Sequence, residues 1–413
     1  MKPNLTVIIL LTIAAISSSN CDRSGSISPP DSPAGTITHL PYLTTDGSEL
    51  LHMSWVETDT TAGTHRLLAA RYDPMGWSSP QKLADGNSWF VNWADYPSIL
   101  TTEGRLRAAH WLQKIPGNAY SYNIRMLLAA RDTAPEAVIT PHFDSTATEH
   151  GFVSMIPHPD SSNIMAVWLD GRRTADRAEN EYTDLAKAMT LRSALIRPNG
   201  RVSGRSLIDS TVCDCCQTSL VMTENGAVAA YRNRTKQEIR DIYVSKFAGG
   251  RWTRPIPVHP DNWQIGGCPV NGPVIQASES TIAVAWFTGA GDQYRVKAAF
   301  SNIDTLSFSE PVTIDDGTPI GRLDAVFITP ELLAVSWMEK VQNTAHLNVR
   351  TVDIQTGKTG RITTIGELSP DRQSGFPQME VTDNTLYFAW TDVGSHSDRQ
   401  LALATLPVAR LLE

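Results

Sequence analysis

Short runs of alternating apolar and polar residues recur along the chain, and one of them has a fixed signature. An apolar strand ends in Trp or Tyr and is followed by a polar loop. The copies are LHMSW to Trp55, RAAHW to Trp111, MAVW to Trp168, VAAY to Tyr231, AVAW to Trp286, AVSW to Trp337 and YFAW to Trp390. Successive aromatics lie 51 to 63 residues apart. A near-constant period of this size marks a propeller blade or a similar array. Other strands keep the same phase. LLAAR occurs at 67–71 and again at 127–131, and an aromatic-Ser/Thr-x-Pro element begins at Trp77, Trp252 and Phe308. Each unit therefore reads as four strands, which in the second unit fall near 96–101, 106–112, 123–131 and 136–141. Glu103-Gly104 and Asn225-Gly226 supply tight turns between the first two strands of a unit.

The pattern predicts an all-β propeller of about seven four-stranded blades, with a six-bladed ring as the alternative. The seventh unit lacks its fourth strand, and a spare strand, Gly35 to Leu40, precedes the first unit. The expectation is that this N-terminal strand completes the last blade and closes the ring, leaving no long exposed edge. A pair of β-sandwiches would give no reason for seven copies in one phase. The propeller is expected to be a single domain over 34–413.

Strands within a blade alternate in direction. The loops joining one blade to the next, and the second strand to the third, thus share one face of the ring. These loops are the longer and more polar ones, so that face is the expected site. Its lead-in segments are Asn92-Trp93-Ala94-Asp95, Glu149-His150-Gly151, Cys213-Asp214-Cys215-Cys216, Cys268-Pro269-Val270-Asn271-Gly272, Arg322-Leu323-Asp324 and Ser374-Gly375-Phe376. The other loops add Asp170-Gly171-Arg172-Arg173, Arg232-Asn233-Arg234, Glu238-Ile239-Arg240-Asp241 and Asp292. Arginines facing carboxylates and His suit a pocket for an anionic or polyhydroxylated ligand. The same charges could instead pair with each other and lock neighbouring blades.

Composition narrows the classes. Charged residues make up 19% of the chain, the net charge is −8, and there is no basic run. Nucleic acid is set aside as a partner, because phosphate binding needs clustered Lys and Arg. Lys2 followed by the apolar run Leu5–Ile16 is too short to span a bilayer and reads as a targeting segment over 1–20. Ser17 to Asn20 then leads to Cys21, which resembles a bacterial lipoprotein signal; an ordinary secretory signal is the alternative. Residues 21–33 read as a flexible tether. The implied location is exported and lipid-anchored at Cys21, with the membrane met only through that lipid.

Export implies oxidising conditions. Cys213, Cys215, Cys216 and Cys268 then remain, and a propeller brings their loops side by side. Two disulfides, a metal site helped by His150, and free redox-active thiols are the three readings. No other cofactor is implied.

The segment Ser301-Asn302-Ile303-Asp304-Thr305-Leu306-Ser307-Phe308 is similar to a degenerate Asp-box. With the opening His39-Leu40-Pro41-Tyr42 and the repeat, it makes the chain resemble the sialidase (BNR/Asp-box) superfamily. It also resembles exported "sialidase family" propellers carrying CDCCQT, here Cys213–Thr218. The resemblance implies an arginine triad for a sugar carboxylate, a Tyr nucleophile with a Glu partner, and an Asp acid/base. His39 stands where the first arginine is usual, and a neutral imidazole cannot replace a bidentate guanidinium. Three functions are therefore carried forward. The first is a glycoside hydrolase-like or lyase enzyme for acidic glycans. Its catalytic candidates are Asp95, His150, Asp170, Tyr231 and Glu238, with Glu149 also available. Its binding candidates are His39, Arg172, Arg232, Arg234, Arg240, Asn271, Arg322 and Asp324. The second is a non-catalytic propeller binding a glycan or a protein. The third is a metal or redox site at the cysteines.

Overall fold

A computed structural model describes residues 36–46, 50–129, 136–159, 162–394 and 399–413. The targeting segment, Cys21 and the tether lie outside the described residues. Seven antiparallel sheets follow one another in the chain. Their first strands are Thr36–Thr45, Ser98–Thr102, His150–Pro157, Ser219–Thr223, Val274–Ser278, Pro319–Thr329 and Gln378–Thr382. Each first strand touches that of the next sheet, and the last touches the first, so the seven line a central channel. The protein is a seven-bladed β-propeller. Among the described residues no helix is long and apolar enough to cross a membrane.

The period seen in the sequence has a packing cause. Each repeat aromatic lies within its blade's second strand, which runs on past it, and it packs into the interface with the preceding blade. Trp111 meets Val56 and Leu67 of blade one, Trp168 meets Leu112 and Ile124 of blade two, and Tyr231 meets Val167 and Leu169 of blade three. Trp286, Trp337 and Trp390 repeat the arrangement against blades four, five and six. Trp55 with Met53 closes the circle against Ala389 and Leu401 of blade seven. One apolar cluster thus fills each seam between neighbours, and the large rings supply most of its area. The polar tip of the ring needs a partner when buried. Trp168 donates to Asp170, Trp286 to Asp261, Trp337 to Glu339, and Tyr231 to Asp209.

The N-terminal strand closes the ring, but not as the missing fourth strand of blade seven. Thr36–Thr45 runs unbroken as the innermost strand of blade one and pairs with Leu51–Asp59. Blade seven has three described strands, Gln378–Thr382, Thr385–Val393 and Arg399–Pro407. The first part of Thr36–Thr45 leans on them instead: Thr38 accepts from the Leu401 amide, and the Leu40 amide donates to Thr391. The spare strand and the first strand of unit one, expected as two elements, are one strand with a bulge between His39 and Tyr42. Side-chain ties and the Trp55 cluster replace a ladder as the closing contact.

The same bulge recurs in blades three and six, between Gly151 and Ser154 and between Gly321 and Asp324. At each of the three sites one residue takes a left-handed backbone: Leu40, Phe152 and Arg322, with φ of 56°, 54° and 50°. Its freed amide is caught by a side chain of the preceding blade. Thr391 takes Leu40 N, Asp95 takes Phe152 N at 2.8 Å, and Asn271 takes Arg322 N at 2.7 Å. The bulge turns the strand toward its neighbour, and the side chain satisfies the donor that the bulge removes from the ladder.

Candidate functional site

On the loop face, three groups from blades two and three share two hydrogen bonds. The Tyr122 hydroxyl, at the start of the third strand of blade two, donates to Glu149 Oε1 at 2.5 Å and lies 3.1 Å from Asp95 Oδ2. Tyr122 and Asp95 are buried, and Phe90 stacks on the Tyr122 ring with centroids 4.1 Å apart. Glu149, just ahead of the innermost strand, is half-buried. Burial pushes its carboxyl up to about 8, opposed by the Tyr122 hydrogen bond and aided by the charges of Asp95 and Asp214. Burial likewise raises Asp95 to about 7, against the hydrogen bonds from Phe152 and Tyr122. Both carboxyls thus hold protons at a pH where an exposed carboxylate has lost its own.

The wall beside Glu149 is the long loop 171–189 of blade three, which folds into three short 3-10 turns. It brings Arg177 to 2.9 Å from Asp214, and lays Tyr182 under Arg177 and Arg234, 5.0 Å and 4.3 Å from the ring centroid. The channel behind has a volume of about 200 Å³ and is lined by Asp95, Tyr96, Gln217, Asp324, Gln378 and Glu380 among others. Burial raises Asp324 to about 7, and burial together with the Asp324 charge raises Glu380 to about 8.

Most of the remaining charged groups singled out in the sequence serve the ring. Arg232 is buried and donates to the carbonyls of Asn271, Arg240 and Phe287, with its guanidinium over Trp263. Arg322 donates to the carbonyls of Asp371, Gly375 and Pro370 and to the Ser374 hydroxyl. Arg234 and Arg240 both grip Glu238, whose carboxyl they hold below its usual range despite burial. Arg172 binds Asp170 in a fork, at 2.6 and 2.7 Å, so that Asp170 serves Arg172 and the Trp168 indole together. Tyr231 lies in the seam between blades three and four and donates to Asp209, away from any glutamate hydrogen bond. His39 is buried against Thr58 and Arg399, and burial lowers it to about 3. Asn271 caps the Arg322 bulge, and Asp324 accepts the amides of Met379 and Ala325. The three-arginine clamp expected for a sugar carboxylate is therefore not assembled from these residues. Their guanidiniums answer buried carbonyls and carboxylates that would otherwise lack partners.

His150 stacks on His142 with ring centroids 3.9 Å apart, and both reach Asp144 Oδ2, at 3.0 and 3.3 Å. Arg172 also meets that oxygen at 3.2 Å. His142, Asp144 and His150 are close enough to share a metal ion, but the guanidinium already neutralises the carboxylate.

The cysteines converge as the blade order requires. Cys215 and Cys268 form a disulfide joining the lead-in loops of blades four and five. Cys213 and Cys216 are buried free thiols. Of the three readings, neither two disulfides nor four free thiols is what stands: one bridge joins the blades and two thiols remain.

Tyr122 escaped the sequence reading, and Gly151 entered it only as part of the lead-in to blade three. Tyr122 begins a third strand, a position without a repeat signature. A Cβ at Gly151 would lie 1.9 Å from Asp95 Oδ2, so only glycine admits the carboxylate there.

No known family profile matches the chain, and no curated protein matches it in sequence. Solved structures do match. An ulvan lyase of polysaccharide lyase family PL25, bound to -[GlcA(1-4)Rha3S]-, superposes with a TM-score of 0.51 at 12% identity, over 93% of this chain and 94% of its own. The chain shares that lyase's fold. A GH93 α-L-arabinofuranosidase of Fusarium graminearum, complexed with arabinobiose, is similar over 94% of this chain and 98% of its own, with a TM-score of 0.47 and 8% identity. A Dyadobacter fermentans protein of unknown function gives 0.47 and 10% over 93% and 98%. At these identities the likeness concerns architecture alone.

Proposed function

We propose that the protein acts on glycans at the loop face, with Glu149 as the proton-transferring group and Tyr122 and Asp95 as a relay behind it. The observation that carries this reading is a half-buried carboxyl held protonated near neutral pH and joined through one phenol to a second such carboxyl. Cleavage of a glycosidic bond by hydrolysis or elimination needs a proton delivered to the leaving oxygen, and a group with a pKa near the working pH does this best. Glu149 is half-buried in the lead-in to blade three. Tyr122 is buried, so it exchanges protons with Glu149 and Asp95 rather than touching substrate. The tyrosine that lies beside a glutamate is Tyr122 and not Tyr231, and its role here as a buried relay differs from the nucleophile that the sialidase resemblance implied. Export through the N-terminal segment and anchoring at Cys21 belong to the same proposal, since they would place the site before extracellular polysaccharide.

The full chain is to be incubated with neutral and uronate-containing polysaccharides. Reducing ends report hydrolysis, and ultraviolet absorbance of an unsaturated uronyl product reports elimination. Turnover should fall by about 10²–10⁴-fold in Glu149→Gln. As an acid, Glu149 works in its protonated form, so the rate should decline as pH rises through about 8. Turnover unchanged in Glu149→Gln would sink the assignment.

A second reading has its own observation. Between blades five and six, Trp263, Phe287, Tyr294, Pro319 and Ile320 line a groove of about 380 Å³. Phe287 and Tyr294 are stacked, and Tyr294 is 58% exposed. Such faces bind sugar rings without chemistry. Saturable oligosaccharide binding lost in Tyr294→Ala, with no turnover of any glycan, would favour this non-catalytic role.

A further inference from the structure

Four sulfurs from two blades meet in one place. Cys213 Sγ lies 3.0 Å from Cys216 Sγ and 3.5 Å from Cys268 Sγ, and Cys216 Sγ lies 4.0 Å from Cys268 Sγ. Cys268 is bonded to Cys215. The bridge is half-buried on the loop face, and the two thiols lie beneath it. Cys213 and Cys216 are themselves a C-x-x-C pair, spaced to close a local disulfide. A structural soft-metal site uses four thiolate or imidazole ligands. With Cys215 and Cys268 bonded to each other, two thiols are left, which favours sulfur exchange over metal binding.

We propose that this cluster is a thiol–disulfide exchange centre that moves one disulfide between the inter-blade bridge Cys215–Cys268 and the local bridge Cys213–Cys216. In the first step the Cys213 thiolate attacks Cys268 Sγ. A Cys213–Cys268 bond forms, the Cys215–Cys268 bond breaks, and Cys215 leaves as a thiolate. Cys215 takes the proton of Cys216. The Cys216 thiolate then attacks Cys213 Sγ, forming Cys213–Cys216 and releasing Cys268 as a thiolate. One disulfide and two thiol groups exist before and after, so no oxidant or reductant is consumed.

The surroundings fit the attacking role of Cys213. Arg240 donates to its sulfur at 3.4 Å. Burial alone would raise this thiol, but the hydrogen bond with Cys216 and the charges of Arg240 and Arg232 bring it down to about 6. Burial and the neighbouring Cys213 hold Cys216 well above the usual range, as suits the second thiol of such a pair. The exchange has a mechanical consequence. Next in the chain, Gln217 donates to the Ala94 carbonyl and accepts from the Gly272 amide, tying the lead-ins of blades two and five. Asp214 holds Arg177 and Arg234. Releasing Cys268 from Cys215 removes the covalent tie between the lead-ins of blades four and five and leaves them joined by hydrogen bonds such as Gln217 to Gly272.

The test is disulfide mapping of the full chain. The protein is equilibrated at mildly alkaline pH with a trace of low-molecular-weight thiol and quenched with acid. Free thiols are alkylated and the linked peptides identified by mass spectrometry. Both Cys215–Cys268 and Cys213–Cys216 should be present, with two of these four cysteines free throughout. Cys216→Ser should lose the local bridge and accumulate Cys213–Cys268. Cys213→Ser should retain Cys215–Cys268 alone. Wild-type protein showing only Cys215–Cys268, two bridges with no thiols, or four thiols holding stoichiometric zinc would each overturn the proposal.

Discussion

Gly151 and Arg232 show how single side chains decide what the loop face can do. The carboxylate of Asp95 occupies the space a side chain at 151 would need. Gly151→Ala should therefore push Asp95 away from Tyr122 and cost about 1–3 kcal/mol, the usual penalty of overpacking. Chemical denaturation measures it, and the loss should shrink in an Asp95→Ala background, where the clash is gone. Arg232 was attractive in the sequence because an arginine after a strand suggests an anion site. Its environment shows three backbone carbonyls instead. Arg232→Met keeps the stem but strands these buried acceptors, at about 1–3 kcal/mol each. The expected outcome is a lowered denaturation midpoint. A specific rise in KM with unchanged stability would contradict the structural role. Residue identity announced the charge, and the missing information was which buried group each guanidinium would answer.

At the scale of elements, the aromatic in each second strand was legible from periodicity because it repeats a packing task. Trp337 fills the seam with blade five and donates to Glu339 at 2.8 Å. Trp337→Ala should cost about 3–5 kcal/mol. Trp337→Phe should cost clearly less, since most of the ring's area survives while the indole donor is lost. Equal losses in equilibrium denaturation would argue that the hydrogen bond, not the packing, holds the seam. The bulges at Leu40, Phe152 and Arg322 left no such trace. Nothing in these three residue types favours a left-handed backbone, so the tie from the preceding blade must impose it. That is also why the first strand was divided in two: the bulge after His39 interrupts the alternation that marks a continuous strand.

Over the whole molecule, protons collect on the innermost strands and their lead-ins. Asp95, Asp324, Glu149 and Glu380 sit at about 7 to 8, all raised chiefly by burial. Between the ordinary carboxyl range near pH 4 and these values, the folded ring binds more protons than the unfolded chain. The contribution of these four groups to stability therefore falls as pH rises across that window. The opposite case, Asp144 and Asp170, has depressed values; their contribution is present above the ordinary range and is lost as pH falls below it. Burial also lowers His39, His52, His65, His110 and His142, and Cys213 is held low, against its burial, by Cys216 and two arginines, so these groups add stability as pH rises across the same window. The carboxyl share is therefore read by difference: Asp324→Asn should raise the thermal midpoint at pH 8.5 relative to that at pH 5.5, compared with the unsubstituted chain. An unchanged pH dependence in Asp324→Asn would contradict the buried-carboxyl account.

The sequence by itself determined the seven-fold repeat, the strand order within a blade and the meeting of the cysteines. Each follows from local periodicity or from the adjacency that a closed ring imposes on successive loops. Only the tertiary structure decided which charges were partnered, which thiols were bonded, and that Tyr122 joins Glu149 to Asp95. Those outcomes depend on distances between side chains far apart in the chain and on the cost of leaving a buried polar group without a partner, and neither is written in the spacing of residue types.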